Sequence, residues 1–218
     1  MISTDDLVQL YTKRGRTYDR FVRLVRYPHG LLACFLQSPL LRPGMKVLDA
    51  GCGSGVVTLA LRKALLARGF SLETIHGFDL TPAMLERFRT SLLNQGIEGI
   101  ELIQANVLDL NTLPSSWTNY DLIVTASMLE YLPPGNIVQA LSGLRRLLNQ
   151  DGSLLLFITR NNWLMYWLIG RWWRSNLYTE PEVRDFLIQA GFSTITFRKF
   201  PLSSRHLALW GLMVEAHC

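Results

Sequence analysis

Asp49 and the glycine-spaced run behind it are the residues whose types and spacing point most directly to chemistry. In Lys46-Val47-Leu48-Asp49-Ala50-Gly51-Cys52-Gly53-Ser54-Gly55 a short apolar run ends in an acid, turns through G-x-G-x-G and leads into 56–68, which reads as a helix. A buried strand feeding a tight turn and a helix makes a nucleoside-sized crevice at the strand's carboxyl end. Glycines let the turn take unusual φ angles and let a ligand come close to the backbone. The dinucleotide fingerprint G-x-G-x-x-G would place its third glycine where Val56 stands. A pyrophosphate also tolerates little negative charge beside it, whereas Asp49 suits a ligand with a positive centre. The alternative is a glycine turn that joins strand to helix and holds nothing.

Asp79 ends the next apolar run, 24 positions after Gly55. In a doubly wound sheet an acid about one β-α unit on overlies a ribose and accepts from its hydroxyls. Asp79 would also favour the dipole of the helix that follows. Ala105-Asn106-Val107 closes the third apolar run. The run Tyr120-Asp121-Leu122-Ile123-Val124-Thr125-Ala126-Ser127-Met128-Leu129-Glu130-Tyr131-Leu132-Pro133 is the second distinctive stretch.

Taken in order, D-A-G-C-G-S-G, Asp79, Ala105-Asn106-Val107 and the 120–133 run resemble the class I S-adenosylmethionine (SAM)-dependent methyltransferases. Within them the likeness is to the small-molecule group that includes the ubiquinone and menaquinone biosynthesis enzymes. The resemblance covers 45–160 well and the remainder loosely. It implies SAM as methyl donor and S-adenosylhomocysteine (SAH) as product. By resemblance, Asp49, Gly51, Cys52, Gly53 and Gly55 form the cofactor turn, Asp79 takes the ribose and Leu80 packs on the adenine. Asn106 and Val107 border the adenine, although the family usually has an acid where Asn106 stands, and Asn106 is otherwise a polar loop residue. Backbone at Thr125 and Ala126 would border the methionine end of the cofactor. A histidine often stands in the family at the place of Tyr131. No N-P-P-Y or D-P-P-Y follows the fourth strand, which argues against adenine or glutamine amide methylation.

These residues have to be positioned by a regular scaffold, and the chain supplies its pattern. Strands are expected at 45–50, 74–78, 100–104, 120–125 and 153–159, alternating with helices at 56–68, 82–95 and 136–148. Alternation of this kind gives a parallel sheet with helices on both faces. After 160 the rhythm breaks, then a helix begins at 179–182 and two closing strands follow at 195–200 and 207–215. With no helix between them those two should pair antiparallel. The expected fold class is α/β: a Rossmann-like, doubly wound, seven-stranded and mostly parallel sheet, with a final antiparallel strand and an N-terminal helical cap. One domain spans 1–218, divided into a cap at 1–40, a SAM-binding core at 45–160, an aromatic substrate-side insertion at 161–178 and a closing helix and hairpin at 179–218. Tyr27-Pro28-His29-Gly30 reads as a break within the cap, and Tyr11 or Tyr18 is expected to reach the cofactor.

At 218 residues the chain is the size of one domain with a sizeable core. Hydrophobic residues make up 49% and charged ones 18%, yet no uninterrupted apolar run is long enough to span a bilayer. No signal-peptide pattern opens the chain. The three cysteines, Cys34, Cys52 and Cys218, lack metal-ligand spacing and read as reduced thiols of a cytoplasmic protein. No metal is expected. The net charge of +5 comes mostly from arginine, densest around Arg14, Arg16, Arg20, Arg23 and Arg26. A solvated helix face accounts for that run, and with no RNA-binding module in the sequence a nucleic-acid partner is not expected.

Methyl transfer from SAM to oxygen or carbon needs an aligned nucleophile and in some cases a general base. The sequence offers only His29, Glu130 and Tyr131 for that role, each with a structural alternative. The aromatic segment says more. Trp163, Tyr166 and Trp167 lie in a stretch apolar nearly all round, where the fold carries substrate-binding insertions. Aromatic walls suit flat or greasy ligands, and tryptophan also favours membrane interfaces. Packing against the cap is the other reading. The function expected is SAM-dependent methylation of an apolar small molecule, at oxygen or carbon rather than nitrogen, with a peripheral membrane contact. A non-catalytic SAM-binding protein and an RNA or protein methyltransferase are the competing readings.

Overall fold

The apolar runs become seven strands of one sheet. The computed structural model describes residues 12, 20, 24–71, 73–165, 167 and 175–218. In chain order the elements are α1 (Tyr27–Gln37), β1 (Val47–Ala50), α2 (Val56–Ala67), β2 (Ile75–Asp79), α3 (Pro82–Gln95), β3 (Ile100–Gln104) and β4 (Tyr120–Ala126). They continue with α4 (Ile137–Leu147), β5 (Leu148–Thr159), α5 (Glu180–Gln189), β6 (Thr194–Arg198) and β7 (Gly211–His217). The strand order is β3-β2-β1-β4-β5-β7-β6. β1 to β5 pair parallel, and β7 is antiparallel to both β5 and β6. The order reverses between β1 and β4, and a crevice opens at such a switch point.

Local signals explain where the helices begin and end. Pro82 occupies the first turn of α3, and Gly96 at φ 60° closes it, its amide donating back to the last-turn carbonyls. α5 starts on a capping box in which the Thr179 amide donates to Glu182 Oε2 at 2.8 Å. Tyr27-Pro28-His29-Gly30 is not a break but the first turn of α1. Proline costs nothing there, because the first amides of a helix have no partner within it.

Both faces of the sheet are covered, which is why its strands read as continuous apolar runs. On one face Ile137, Leu141 and Leu144 of α4 and Leu187 of α5 meet Leu48, Ile123, Leu154 and Leu156. On the other, Leu31 and Phe35 of α1 and Leu61 and Leu65 of α2 meet Val47, Leu122, Val124 and Leu155. The turn Arg42-Pro43-Gly44 is fixed by Asp121, which accepts from the Lys46 amide at 2.7 Å and from Asn149 Nδ2 at 2.9 Å. β5 starts earlier than the sequence suggests. Tyr120 pairs with Leu148 but Leu122 with Ser153, so the expected turn at 149–152 survives as a bulge inside the strand.

Gly55, at the start of α2, has φ 88°, and a Cβ there would lie 2.2–2.5 Å from the Phe88 ring. Gly96 is also left-handed, at φ 60°, but a Cβ there would meet nothing within 4 Å. The strain of the left-handed backbone is common to both sites, and the clash belongs to Gly55 alone. Gly96→Ala should therefore cost about 1 kcal/mol of stability and Gly55→Ala about 2–4 kcal/mol in chemical denaturation. Equal losses would show that Phe88 yields freely and that the α2–α3 contact is not tight.

Candidate functional site

The carboxyl ends of β1, β2 and β4 surround a cavity that encloses about 880 Å³, open solvent at its mouth included. Its floor is the turn after β1, and that turn is held by the end of β2. The amides of Gly51 and Cys52 both donate to the Phe78 carbonyl, at 2.8 and 2.9 Å. The Gly53 amide donates to Asp79 Oδ2 at 2.9 Å, and the Thr81 amide to Asp79 Oδ1 at 2.8 Å. Gly51 has φ 78°, and a Cβ on it would come within 2.7 Å of the Met128 side chain. Glycine is thus required there both by backbone angle and by the loop after β4.

Asp79 lines the cavity. Each of its oxygens accepts one amide hydrogen and the Thr81 side chain donates a further bond, so of the about four acceptor positions of a carboxylate one remains for a ligand. Burial raises its pKa, against the pull of the two amide bonds and of the Thr81 side chain. Asp49 lies just behind the turn, fully buried. Its Oδ2 accepts from Thr58 Oγ1 at 2.5 Å, while Oδ1 has no hydrogen-bonding partner. Burial pushes the Asp49 pKa up to about 7; the Thr58 bond opposes the rise and the nearby Asp79 charge adds to it. The two acids leave a region short of positive charge next to a cavity of mostly apolar walls.

The remaining expected residues divide clearly. Gly51, Cys52, Gly53, Leu80, Asn106, Val107, Ala126 and Tyr131 line the cavity with Asp79. Asp49, Gly55 and Thr125 do not line it. Gly55 turns into α2, and Thr125 is fully buried with its hydroxyl unpartnered. Asn106 spends part of its amide oxygen on its own loop, accepting from the Leu108 amide at 3.0 Å. Sequence reasoning missed Tyr27, Met84 and Met128, which also line the cavity. Tyr27 was hidden because Pro28 after it signalled a break, and the two methionines come from loops and helices without a pattern of their own.

Of the three residues considered for general-base chemistry, only Tyr131 reaches the cavity. His29 lies in a separate surface cleft with His206 and Trp210. Glu130 is buried beneath the β4 loop, 1% exposed, and accepts from Thr159 Oγ1 at 2.6 Å. Burial pushes its pKa up to about 7 against that bond. The expected aromatic wall is not built from Trp163 and Trp167. Trp163 is 77% exposed and Trp167 52%, because the helical turn Trp163–Met165 buries Met165 instead. Tyr11, Tyr18 and Tyr166 lie outside the described residues, as does most of the expected cap at 1–40.

Residues 47–152 match the family model described as a methyltransferase domain. The chain is 26% identical over 148 residues to the aklanonic acid methyltransferase DauC of Streptomyces sp. (strain C5), covering 68% of this chain and 62% of that protein. It is also 26% identical over 155 residues to the carboxy-S-adenosyl-L-methionine synthase of Yersinia pestis (strain Pestoides F), covering 68% of this chain and 55% of that protein. The chain thus spans somewhat more than half the length of these curated relatives. In overall structure it is similar to the magnesium protoporphyrin IX methyltransferase of Synechocystis PCC 6803 with bound SAH, at a TM-score of 0.69 and 16% identity over 99% of this chain and 100% of that one. An O-methyltransferase family protein from Burkholderia thailandensis gives a TM-score of 0.72 at 13% identity, over 99% of this chain and 63% of that one. That domain match lies over the β1 turn, Asp79 and the β4 loop, and together with these relatives and structural neighbours it supports a class I SAM-dependent methyltransferase.

Proposed function

We propose that the protein binds SAM in the cavity at the ends of β1, β2 and β4 and transfers its methyl group to an apolar small-molecule acceptor, at oxygen or carbon. The observation that carries this is the pairing of Asp79 with the glycine turn: a carboxylate that lines the cavity and is held in place by the Gly53 and Thr81 amides. Its remaining acceptor capacity suits a ribose hydroxyl. Leu80, Met84 and Val107 offer apolar walls to the adenine, and Asn106 its remaining acceptor capacity to the amino group. Backbone at Gly51 and Ala126 borders the methionine end, with Asp49 behind it.

When bound, SAM supplies a methyl group already activated on a sulfonium. The chain's part is to bind, orient and exclude water. An in-line displacement gains most from alignment, so rigid placement of the donor by the β1 turn and of the acceptor by the β4 loop contributes much of the acceleration. Tyr131, Met128 and Leu132 also line the cavity and face the acceptor in this reading. Their largely apolar character supports an apolar substrate, and the acceptor named for the aklanonic acid relative supports a small molecule. The cytoplasmic location expected from the reduced cysteines belongs to the same proposal.

Two outcomes test it. Asp79→Ala should weaken SAH binding by about 1.5–3 kcal/mol in calorimetry, the usual worth of hydrogen bonds to a charged group. Undiminished SAH affinity in that variant, or preference of the unaltered protein for NAD, would remove the assignment. The second outcome concerns pH. A ligand bearing a sulfonium and an ammonium favours the ionised form of Asp49, so binding lowers a pKa that stands at about 7 in the free protein. Affinity is then full above that pKa and falls as the pH drops through it. SAM titrations at about pH 8 and about pH 6 should show weaker binding at the lower pH, with Asp49→Asn losing most of that difference. The same pH dependence in Asp49→Asn would assign it to another group, or to the ligand's own amine.

A further inference from the structure

Five of the nine large apolar side chains that stand exposed among the described residues lie on connected segments of one face. Leu24 precedes α1, Leu202 and Leu209 belong to the 3₁₀ stretch Leu202–Leu209, and Trp163 and Trp167 follow β5. Leu24 and Leu202 are 81% and 86% exposed. Hydrogen bonds tie the three segments together. His206 Nε2 meets the Val25 carbonyl at 3.0 Å, Asn162 Nδ2 donates to the Leu209 carbonyl at 2.8 Å, and the Arg160 amide to the Trp210 carbonyl at 3.0 Å.

The charge on this face is of one sign. Residues 24–30, 160–167 and 199–210 contain no aspartate or glutamate, but include Arg26, Arg160, Lys199 and Arg205, with His29 and His206 beside them. Arg26, Lys199 and Arg205 are exposed, while Arg160 is engaged with Glu180 at 3.5 Å. A cleft among Leu24, Arg26, His29, His206 and Trp210 opens on the same face. Exposed leucine and tryptophan tips beside the exposed Arg26, Lys199 and Arg205, with Glu180 the acid that meets the face at Arg160, match the two layers of an anionic bilayer surface: the acyl boundary and the phosphate headgroups. Tryptophan is favoured at the headgroup level of a membrane. No helix of the described residues is long and apolar enough to cross a bilayer, so contact would be with the surface.

We infer that this face, formed by residues 24–29 and 202–210 with Trp163 and Trp167, docks the protein onto anionic lipid bilayers. Its relation to the cavity is direct in sequence. Tyr27 lines the cavity, while Arg26 and His29 on either side of it line the surface cleft. Docking would bring the α1 side of the cavity close to the lipid phase, where poorly soluble molecules concentrate. The inference stands on the surface residues and does not need the proposed methyl transfer.

The test is flotation of the full chain with vesicles of phosphatidylcholine, with and without phosphatidylglycerol, together with SAH calorimetry and sedimentation velocity. The protein should float with the phosphatidylglycerol vesicles only, and raised salt should weaken the association. Leu202→Glu with Leu209→Glu should lower the vesicle-bound fraction roughly tenfold or more, and Arg26→Glu with Arg205→Glu should do the same. Both variants should keep the SAH affinity of the unaltered protein, which shows that the fold and the cofactor reading survive. Three outcomes overturn the inference: no flotation of the unaltered protein, undiminished flotation of both variants, or a dimer in solution that the leucine variant breaks, which would make the face a contact between copies. Loss of SAH binding in the unaltered protein would count against the proposed function and leave this inference standing.

Discussion

The junction between the end of β2 and the turn after β1 is the constraint on which the rest of the site depends. Phe78 gives its carbonyl to two consecutive amides of the turn, and Asp79 gives a carboxylate oxygen to a third. A glycine-rich turn alone loses more conformational freedom on ordering than other sequences do. Here the neighbouring strand supplies its hydrogen-bond partners, and parallel pairing of β1 with β2 brings them into register, Ala50 opposite Phe78. The turn is therefore shaped before any ligand arrives. The floor of the cavity is set where the end of β2 and the turn after β1 fix each other.

That arrangement has an electrostatic cost. Asp49 and Asp79 stand near the same turn with no lysine or arginine among the described residues hydrogen-bonded to either of them, and burial raises the pKa of both. A buried carboxylate without a counter-ion is expensive, so the free protein at neutral pH carries Asp49 close to its midpoint. Glu130 repeats the pattern below the β4 loop, its pKa also near 7 and one oxygen without a partner. The two cases differ in what can relieve them. Glu130 is closed off by Leu129, Thr159 and the segment returning at Asn176, whose amide donates to the Glu130 carbonyl at 2.8 Å. Asp49 stands in β1 just before the turn that floors the cavity, and under the proposed function a cationic ligand there would favour its ionised form.

The scaffold was legible because its signals are local. Period and punctuation marked each β-α unit, and β1 to β4 with α2 and α3 lie within a residue or two of where the pattern puts them. The glycine turn and Asp79 were legible for the same reason: their spacing is set within one unit. What the sequence hid is whatever depends on contacts between units. Tyr27 and Met128 reach the cavity from segments about a hundred residues apart. Asn149-Gln150-Asp151-Gly152 has turn composition and does turn, but as a bulge that lets β5 keep pairing with β4, a distinction set by the neighbouring strand. The aromatic segment misled by composition: tryptophan suggests a pocket wall, yet Met165 takes the buried position and leaves Trp163 outside.

That last exchange bears on how acceptor and cofactor ends of the cavity are divided. The β1 turn, Asp79 and the adenine-side loop are all built from the regular units, and their shape follows from strand pairing. Tyr27, Met128, Tyr131 and Leu132 also line the cavity, from a helix start and an irregular loop. Ser127 there holds φ 52°, a left-handed angle for a residue with a side chain, fixed in part by its amide bond to the Phe157 carbonyl at 3.0 Å. Methionine and leucine adapt their shape at little cost, whereas a hydrogen-bonded carboxylate does not. Under the proposed function, the rigid polar part of the site would hold the cofactor and the pliable apolar side chains would select the second substrate by shape. The side chains that would discriminate among acceptors are then Tyr131, Met128 and Tyr27, and it is on those loops, not in the glycine turn, that specificity within this fold has room to vary.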